Sequence, residues 1–168
     1  LRLIENQEQL VRMARELVTR DIDTDEFLGQ AASFQRDRPE VRQITWLNAN
    51  RAVKASQAVI SYHPEPGPGG EPEDPSLPAE GRKSEAETAF RAARETRQPV
   101  YSRAFNDSLG TPVFQVQVPL IDRSAFSGVI VVEYSIESLV RYFVPAEVTR
   151  RHAITVLDGE GHSLASTV

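Results

Sequence analysis

Residues 110–140 read GTPVFQVQVPLIDRSAFSGVIVVEYSIESLV, and this stretch decides the fold. In its first half the even positions from Phe114 to Leu120 are apolar and fall on one side of a strand, whereas Gln115 and Gln117 fall on the other. Turn-forming residues at 122–125 separate this run from a second apolar run. The prediction is two antiparallel strands, Pro112–Leu120 and Ser127–Ser135, followed by the short helix IESLVRYF.

Two helices are predicted at the start of the chain. Residues 1–20 contain no Gly or Pro and carry an apolar stripe, which predicts a long amphipathic helix. The stripe consists of Leu3, Leu10, Ala14 and Leu17. Asp23 is followed three residues later by Glu26, which indicates the capping box of a second helix that stops before Pro39.

A β-hairpin follows these helices. The strands are predicted at 43–47 and 52–60, and Asn48–Arg51 form the turn because Asn tolerates a positive φ. The next stretch, residues 62–81, has six Pro and four Gly in 20 residues and is predicted to be a long surface loop.

The sequence then returns to regular structure. Ser84 and Glu87 resemble a capping box that opens a helix ending before Pro99, and Val100–Phe105 is predicted to be a strand. Strands joined by short turns, with helices at the front and one inserted, predict an α+β fold around an antiparallel sheet.

In this order the elements resemble the extracytoplasmic PAS-like sensor domains, called PDC or Cache domains, of bacterial histidine kinases and chemoreceptors. The resemblance is carried by the long first helix, ITWLNANRAVKAS at 44–56, RAARETRQPVYS at 91–102, and the stretch at 110–140. Within that stretch the family pattern is matched by Gly110, Pro112, Val118-Pro119, Asp122, Gly128–Val132 and Ser135–Leu139. The resemblance covers nearly the whole chain. It implies a five-stranded antiparallel sheet with a long N-terminal helix and an inserted helix or loop as a lid.

The end of the chain repeats the first hairpin. ITVLDGEGHSLAS at 154–166 matches ITWLNANRAVKAS at 44–56 in five positions without a gap. Tandem members of the family start each module with such a hairpin, so the resemblance implies a double-type domain whose second module is truncated; a chance match is the alternative. The predicted organisation is N-terminal signalling or dimer helices over 1–38, a sensor module over 39–145, and a linker with the first hairpin of a second module over 146–168.

Several function classes find little support in the sequence. The chain has no cysteine, and its net charge of −5 comes from 19 basic and 24 acidic residues, which does not favour nucleic-acid binding. His63, His152 and His162 show no metal-ligand spacing, and no nucleophile elbow or phosphate loop is found. We therefore expect no catalytic residue, no metal and no cofactor, and no apolar run reaches the roughly 20 residues that a membrane span needs.

Six residues are candidates for contacts with a small solute. In a PAS-like fold one face of the sheet is covered by the N-terminal helix and the other faces the ligand, where Gln115 and Gln117 would supply polar groups. Trp46 is either a core residue beside Ile44 or a pocket wall. Arg103 could grip a carboxylate together with Tyr101 on the same strand face. Arg82 precedes the inserted helix, in the region that covers the ligand pocket in the family.

The resulting hypothesis is the periplasmic ligand-sensing domain of a membrane-anchored receptor, a sensor histidine kinase, that binds a small solute of unknown identity such as an organic acid. Amino-acid-binding members carry an Arg and an aromatic pair at the head of the inserted helix, where this sequence reads GRKSEAETAF. Residues 1–20 could form a homodimer interface through Leu3, Leu10 and Leu17. The alternative is a cytosolic PAS- or GAF-like dimerisation module without a ligand.

Overall fold

The computed structural model describes residues 2–58, 80–107, 110–144, 147–148, 155–157, 161 and 163–166. The helices are α1 (Arg2–Thr19), α2 (Thr24–Arg36), α3 (Glu80–Thr96) and α4 (Ile136–Phe143). The strands are β1 (Val41–Asn48), β2 (Val53–Ala58), β3 (Val100–Tyr101), β4 (Phe105–Asn106), β5 (Pro112–Asp122), β6 (Ala125–Ser135), β7 (Thr155–Leu157) and β8 (Ser163–Ser166).

The centre of the fold is an open antiparallel sheet in the order β2-β1-β6-β5-β3, with β4 also paired to β5. The predicted α+β, PAS-like fold class is confirmed. The sheet has six strands instead of the five expected, because the predicted strand Val100–Phe105 is interrupted. Its two ends pair separately with β5 as β3 and β4, and Ser102 between them accepts a hydrogen bond from the backbone N–H of Gln115 at 2.9 Å.

Helices α1 and α2 cover one face of the sheet, and the main hydrophobic core lies beneath them. The core contains Val116, Val118 and Leu120 of β5, as the alternation predicts, and it buries Phe27 of α2 completely. A second, smaller cluster lies on the opposite face, where α3 packs on β6.

The apolar stripe of α1 is part of this core. Leu10 is 0% exposed and Leu17 is 4% exposed, both packed in the cluster between α1 and the sheet, with Leu3 at its margin. The expectation that Leu10 and Leu17 line a homodimer interface is therefore wrong. Their side chains are already buried within the chain, since an amphipathic helix places its apolar face against the nearest apolar sheet face.

The structure confirms one of the two capping predictions and shows one further N-cap. The side chain of Asp23 accepts a hydrogen bond from the backbone N–H of Glu26 at 2.8 Å, and Ser135 caps α4 in the same way. The capping box at Ser84 and Glu87 is wrong, because α3 begins at Glu80. Ser84 lies inside that helix, where its carbonyl accepts the hydroxyl hydrogen of Thr88.

Both repeated segments fold as hairpins. In the β1–β2 turn, Asn48 Oδ1 accepts the backbone N–H groups of Asn50 and Ala52 at 2.9 Å, and Arg51 adopts a positive φ of 65°. Strands β7 and β8 pair with each other as a separate two-stranded sheet. Whether this hairpin opens a second module stays a prediction, as do the three domain bounds.

Candidate functional site

Four polar side chains are buried on the face of the sheet that α3 partly covers. We call Gln43, Gln115, Gln117 and Glu133 the polar patch. Glu133 of β6 lies between Gln43 of β1 and Gln115 of β5 in the strand register, and Gln117 lies two residues further along β5. All four are at most 7% exposed. Buried polar groups lower stability unless they are hydrogen-bonded, so this arrangement calls for an explanation.

A chain of hydrogen bonds orients the amides of the polar patch. Gln117 Nε2 donates to the carbonyl oxygen of Ala86 in α3 at 2.8 Å and to Gln115 Oε1 at 3.4 Å. Gln115 Nε2 in turn donates to Glu133 Oε1 at 3.2 Å. Because the amide nitrogen of Gln117 contacts two oxygens, its oxygen cannot exchange places with it without creating two repulsive contacts.

This orientation leaves one acceptor unused. Gln117 is 1% exposed, and its Oε1 has no hydrogen-bond donor among the residues that the structure describes. A buried acceptor without a partner destabilises a protein by about 1–3 kcal/mol. Such a group in a native fold is expected to meet a water molecule or a ligand that donates a hydrogen bond.

Helix α3 is held over the same face by apolar contacts. Phe90 and Ala93 are buried against Val129 and Val131 of β6, and the rings of Phe90 and Phe126 meet edge to face with centroids 5.6 Å apart. These contacts fix the position of Ala86, one turn before Phe90, above Gln117. The part of α3 before Ala86 therefore precedes the turn of the helix that these contacts hold against the sheet.

The five predicted site residues whose side chains the structure describes do not all lie together. Gln115 and Gln117 lie together in the polar patch. Trp46 lies on the opposite face, 8% exposed, with its ring centroid 5.5 Å from that of Phe27. Lys54 Nζ lies 4.0 Å from the Trp46 ring centroid. Of the two roles predicted for Trp46, the structure therefore supports that of a core residue.

Tyr101 and Arg103 do not share a strand face. Tyr101 pairs with Val116 and so belongs to the α1 side of the sheet, where its hydroxyl donates to Gln7 Oε1 at 2.8 Å and burial raises its pKa. Arg103 lies after the end of β3 and is exposed. The strand that was predicted to carry both side chains on one face ends at Tyr101, and a joint contact of the two with a ligand stays a prediction. Arg82 lies within α3 and not before it, as do the last two residues of the predicted loop, and nothing is described of its side chain. His63, His152, His162 and residues 62–79 of the Pro-rich loop lie outside the described residues.

Two members of the polar patch, Gln43 and Glu133, were missed at the level of sequence. The signal for Glu133 is a single carboxylate inside GVIVVEYS, at a position that the strand alternation places beside Gln115 and Gln117. Gln43 carries no comparable signal, since it stands at the start of an ordinary strand. Its Nε2 donates to Ser56 Oγ at 2.7 Å.

A second buried polar network lies directly behind the patch, on the α1 side of β6. The hydroxyl of Tyr134 is buried and hydrogen-bonds with Asn6 of α1, and burial raises the pKa of Tyr134. Asn6 Oδ1 accepts from Arg38 Nε at 2.7 Å, and Asn6 Nδ2 lies 3.5 Å from Glu40 Oε1. Since Tyr134 follows Glu133 in the chain, β6 connects the polar patch to α1 through adjacent residues.

Within the described part of the chain, no three His, Cys, Asp or Glu side chains are grouped so that they could hold a metal ion. The same residues include no helix with both the length and the apolar character needed to span a membrane.

No protein-family model and no curated protein sequence matches this chain. Solved structures do match it. The ligand-binding domain of the Campylobacter jejuni chemoreceptor Tlp3 with L-norvaline has a TM-score of 0.62 at 14% identity, over 97% of this chain and 60% of that chain. The ligand-binding domain of the Pseudomonas aeruginosa PAO1 amino-acid chemoreceptor PctC with GABA has a TM-score of 0.55 at 16% identity, over 96% and 68%.

A third match is the extracellular domain of mmHK1S-Z2, described as a histidine kinase, with a TM-score of 0.58 at 10% identity, over 93% of this chain and 62% of that chain. The chain thus spans about three fifths of the length of the kinase and Tlp3 domains. At these identities the likeness establishes the fold. The fold is that of the extracellular sensor domains of histidine kinases and chemoreceptors, as the sequence resemblance implied.

Proposed function

We propose that this chain is the extracytoplasmic solute-sensing domain of a membrane-anchored receptor, a sensor histidine kinase, and that the solute binds at the polar patch beneath α3. The proposal is supported by the fold, since the similar structures are extracellular ligand-binding domains. It rests above all on one observation. Gln117 Oε1 is a buried, oriented acceptor that no donor of the described residues satisfies.

The chemistry of the patch favours a solute that donates hydrogen bonds. Both N–H groups of Gln117 and one of Gln115 are already used inside the protein, whereas Gln117 Oε1 is an acceptor without a described donor. Glu133 adds a carboxylate at its centre. An ammonium or amide group fits this environment, whereas a carboxylate alone would meet acceptors and a like charge. We therefore propose an amine-bearing solute in place of the organic acid suggested by the sequence.

The complexes of the similar structures agree with this choice, since they contain L-norvaline and GABA, which both carry an amine. Signalling requires that the solute bind one arrangement of the domain more tightly than another. The adjacent residues Glu133 and Tyr134 give a physical route, because Tyr134 hydrogen-bonds with Asn6 of α1. A shift of β6 on binding would therefore change the contacts that β6 makes with α1.

The test is a thermal-shift screen with L-amino acids, aliphatic amines and polyamines beside organic acids and sugars. A ligand at about 100 times its Kd adds about 2.7 kcal/mol, which raises the melting temperature of a domain of this size by roughly 5–10 °C. An amine hit supports the proposal. A rise with carboxylates alone would contradict the proposed ligand class, and no rise with any compound would favour a module that signals through protein contacts.

Two variants place a hit on the patch. Gln117→Met removes the unused acceptor, and Glu133→Gln removes the charge while it keeps an oxygen for Gln115. Each should weaken binding at least about tenfold, as expected for loss of a hydrogen bond to a charged group. Gln35→Met is the matched control, because Gln35 is a buried glutamine of α2 on the other face, bonded to the carbonyl of Gln57. Equal effects of all three variants would argue for a structural cause alone.

A further inference from the structure

A cavity lies on the face of the sheet opposite the polar patch. It has a volume of about 350 Å³ and lies between α1, β5 and the turn that follows α3. We call it the α1–β5 groove. Cavities that bind small molecules are typically about 300–1,000 Å³, so this one suits a small ligand. The lining residues that matter here are Gln7, Val11, Arg15, Arg97, Val118 and Ile121.

The charges in the groove all have one sign. Arg15 comes from α1, and Arg97 directly follows the end of α3 and has a positive φ of 56°. No Asp or Glu is among the described lining residues, and neither arginine forms an ion pair within the described part of the chain. Two guanidinium groups without acidic partners on one small cavity favour an anion, and carboxylate is the group that their planar forks match best.

The remaining lining residues define the rest of the ligand. Val11, Val118 and Ile121 give the groove an apolar floor. Gln7 Oε1 already accepts the hydroxyl hydrogen of Tyr101, so the free hydrogen-bonding group of Gln7 is its N–H donor. Donors and cations at one side of an apolar surface are complementary to a molecule with a carboxylate head and a short hydrocarbon body.

We propose that the α1–β5 groove binds a short-chain monocarboxylate, with its head group between Arg15 and Arg97 and its chain on Val11, Val118 and Ile121. This site is separate from the polar patch and goes beyond the proposed function. A ligand there touches α1 and the end of α3 at once. It can therefore bias the position of the helix that the sensing site is proposed to move, as an effector acting from the other face.

The test is isothermal titration calorimetry of the whole domain with hexanoate, and with 1-hexanol as the uncharged probe of equal chain length. Hexanoate should bind and 1-hexanol should not. Arg15→Gln and Arg97→Gln should each weaken hexanoate binding at least about tenfold, because each removes a charge-assisted contact. Both residues are exposed, so neither change should disturb the fold. Arg12→Gln is the matched control, an exposed arginine of α1 that does not line the groove.

The proposal is overturned if hexanoate does not bind, if 1-hexanol binds equally well, or if the two groove variants behave as Arg12→Gln does. Gln117→Met separates the two sites. It should weaken amine binding at the polar patch at least about tenfold and leave the hexanoate affinity unchanged. Loss of hexanoate binding in Gln117→Met, with no effect of Arg15→Gln, would move the carboxylate to the patch and contradict the groove.

Discussion

Gly128 fixes how close β1 and β6 approach, and its replacement by alanine should be strongly destabilising. The residue has a φ of +144°, a backbone conformation that residues with a side chain rarely adopt. An added Cβ would overlap the carbonyl oxygen of Leu47 and lie 3.1 Å from two backbone atoms of Asn48. These atoms belong to β1 and are part of the ladder that places Gln43 beside Glu133. The clash can be relieved only if the two strands separate.

The expected loss follows from the parts that must change. Backbone strain at such a φ amounts to about 1–3 kcal/mol, and each ladder hydrogen bond weakened as the strands move apart adds about 0.5–1.5 kcal/mol. Gly128→Ala should therefore lower the free energy of unfolding by about 3 kcal/mol. For a domain of this size that corresponds to a fall in melting temperature of roughly 6–12 °C.

Urea denaturation followed by circular dichroism measures this change, with Gly29→Ala as the control. Gly29 is an exposed residue of α2, and a Cβ there meets no atom within 4 Å. Its replacement should stabilise the domain by about 0.5–1 kcal/mol, because alanine favours the helix. If Gly128→Ala unfolded within about 1 kcal/mol of the wild type, the close approach of β1 to β6 would be refuted.

Two further changes test buried polar groups by the same assay. The side chain of Asp107 is fully buried and forms an ion pair with Arg42 at 3.0 Å, so Asp107→Ala should lower the free energy of unfolding by about 3–5 kcal/mol. Glu87→Ala removes an exposed i,i+4 ion pair with Arg91 and should lower it by less than about 0.5 kcal/mol. Similar losses in the two variants would refute this contrast. Burial raises the pKa of the Tyr134 hydroxyl, so its contribution to stability is fully present below the unfolded pKa of about 10. The contribution is lost progressively as the pH rises from that value towards the higher folded pKa. Tyr134→Phe should therefore reduce the fall in unfolding free energy between about pH 9 and pH 11, and an unchanged pH profile would contradict this assignment.

The parts of the fold that could be predicted from sequence depend on local patterns. The alternation of apolar and polar residues in PVFQVQVPL placed Val116 and Gln117 on opposite faces of the sheet. The spacing of Asp23 and Glu26 identified the start of α2. Each signal is read within a few residues. The start of α3 was missed, because the apparent capping residue Ser84 lies inside a helix whose first turn falls in a Pro- and Gly-rich sequence.

The candidate site was harder to predict, because it depends on register between distant strands. Alternation predicts which residues of one strand share a face. It does not predict the register of that strand with its neighbour, so it does not show which residues of the two strands lie side by side. Tyr101 pairs with Val116 and not with Gln117, and this one-residue difference places it on the α1 side. Glu133 joins the patch through its pairing with Gln115, which only the sheet reveals.

The most direct test of the central claim is a titration followed by the side-chain amide signals of the glutamines in a ¹⁵N-labelled domain. The added ligand is the amine that raises the melting temperature most. If the polar patch binds it, the signals of Gln117 and Gln115 shift together and saturate, and that of Gln35 on the other face stays in place. Saturable binding that leaves the Gln117 signal unmoved would contradict the assignment of the sensing site to the polar patch.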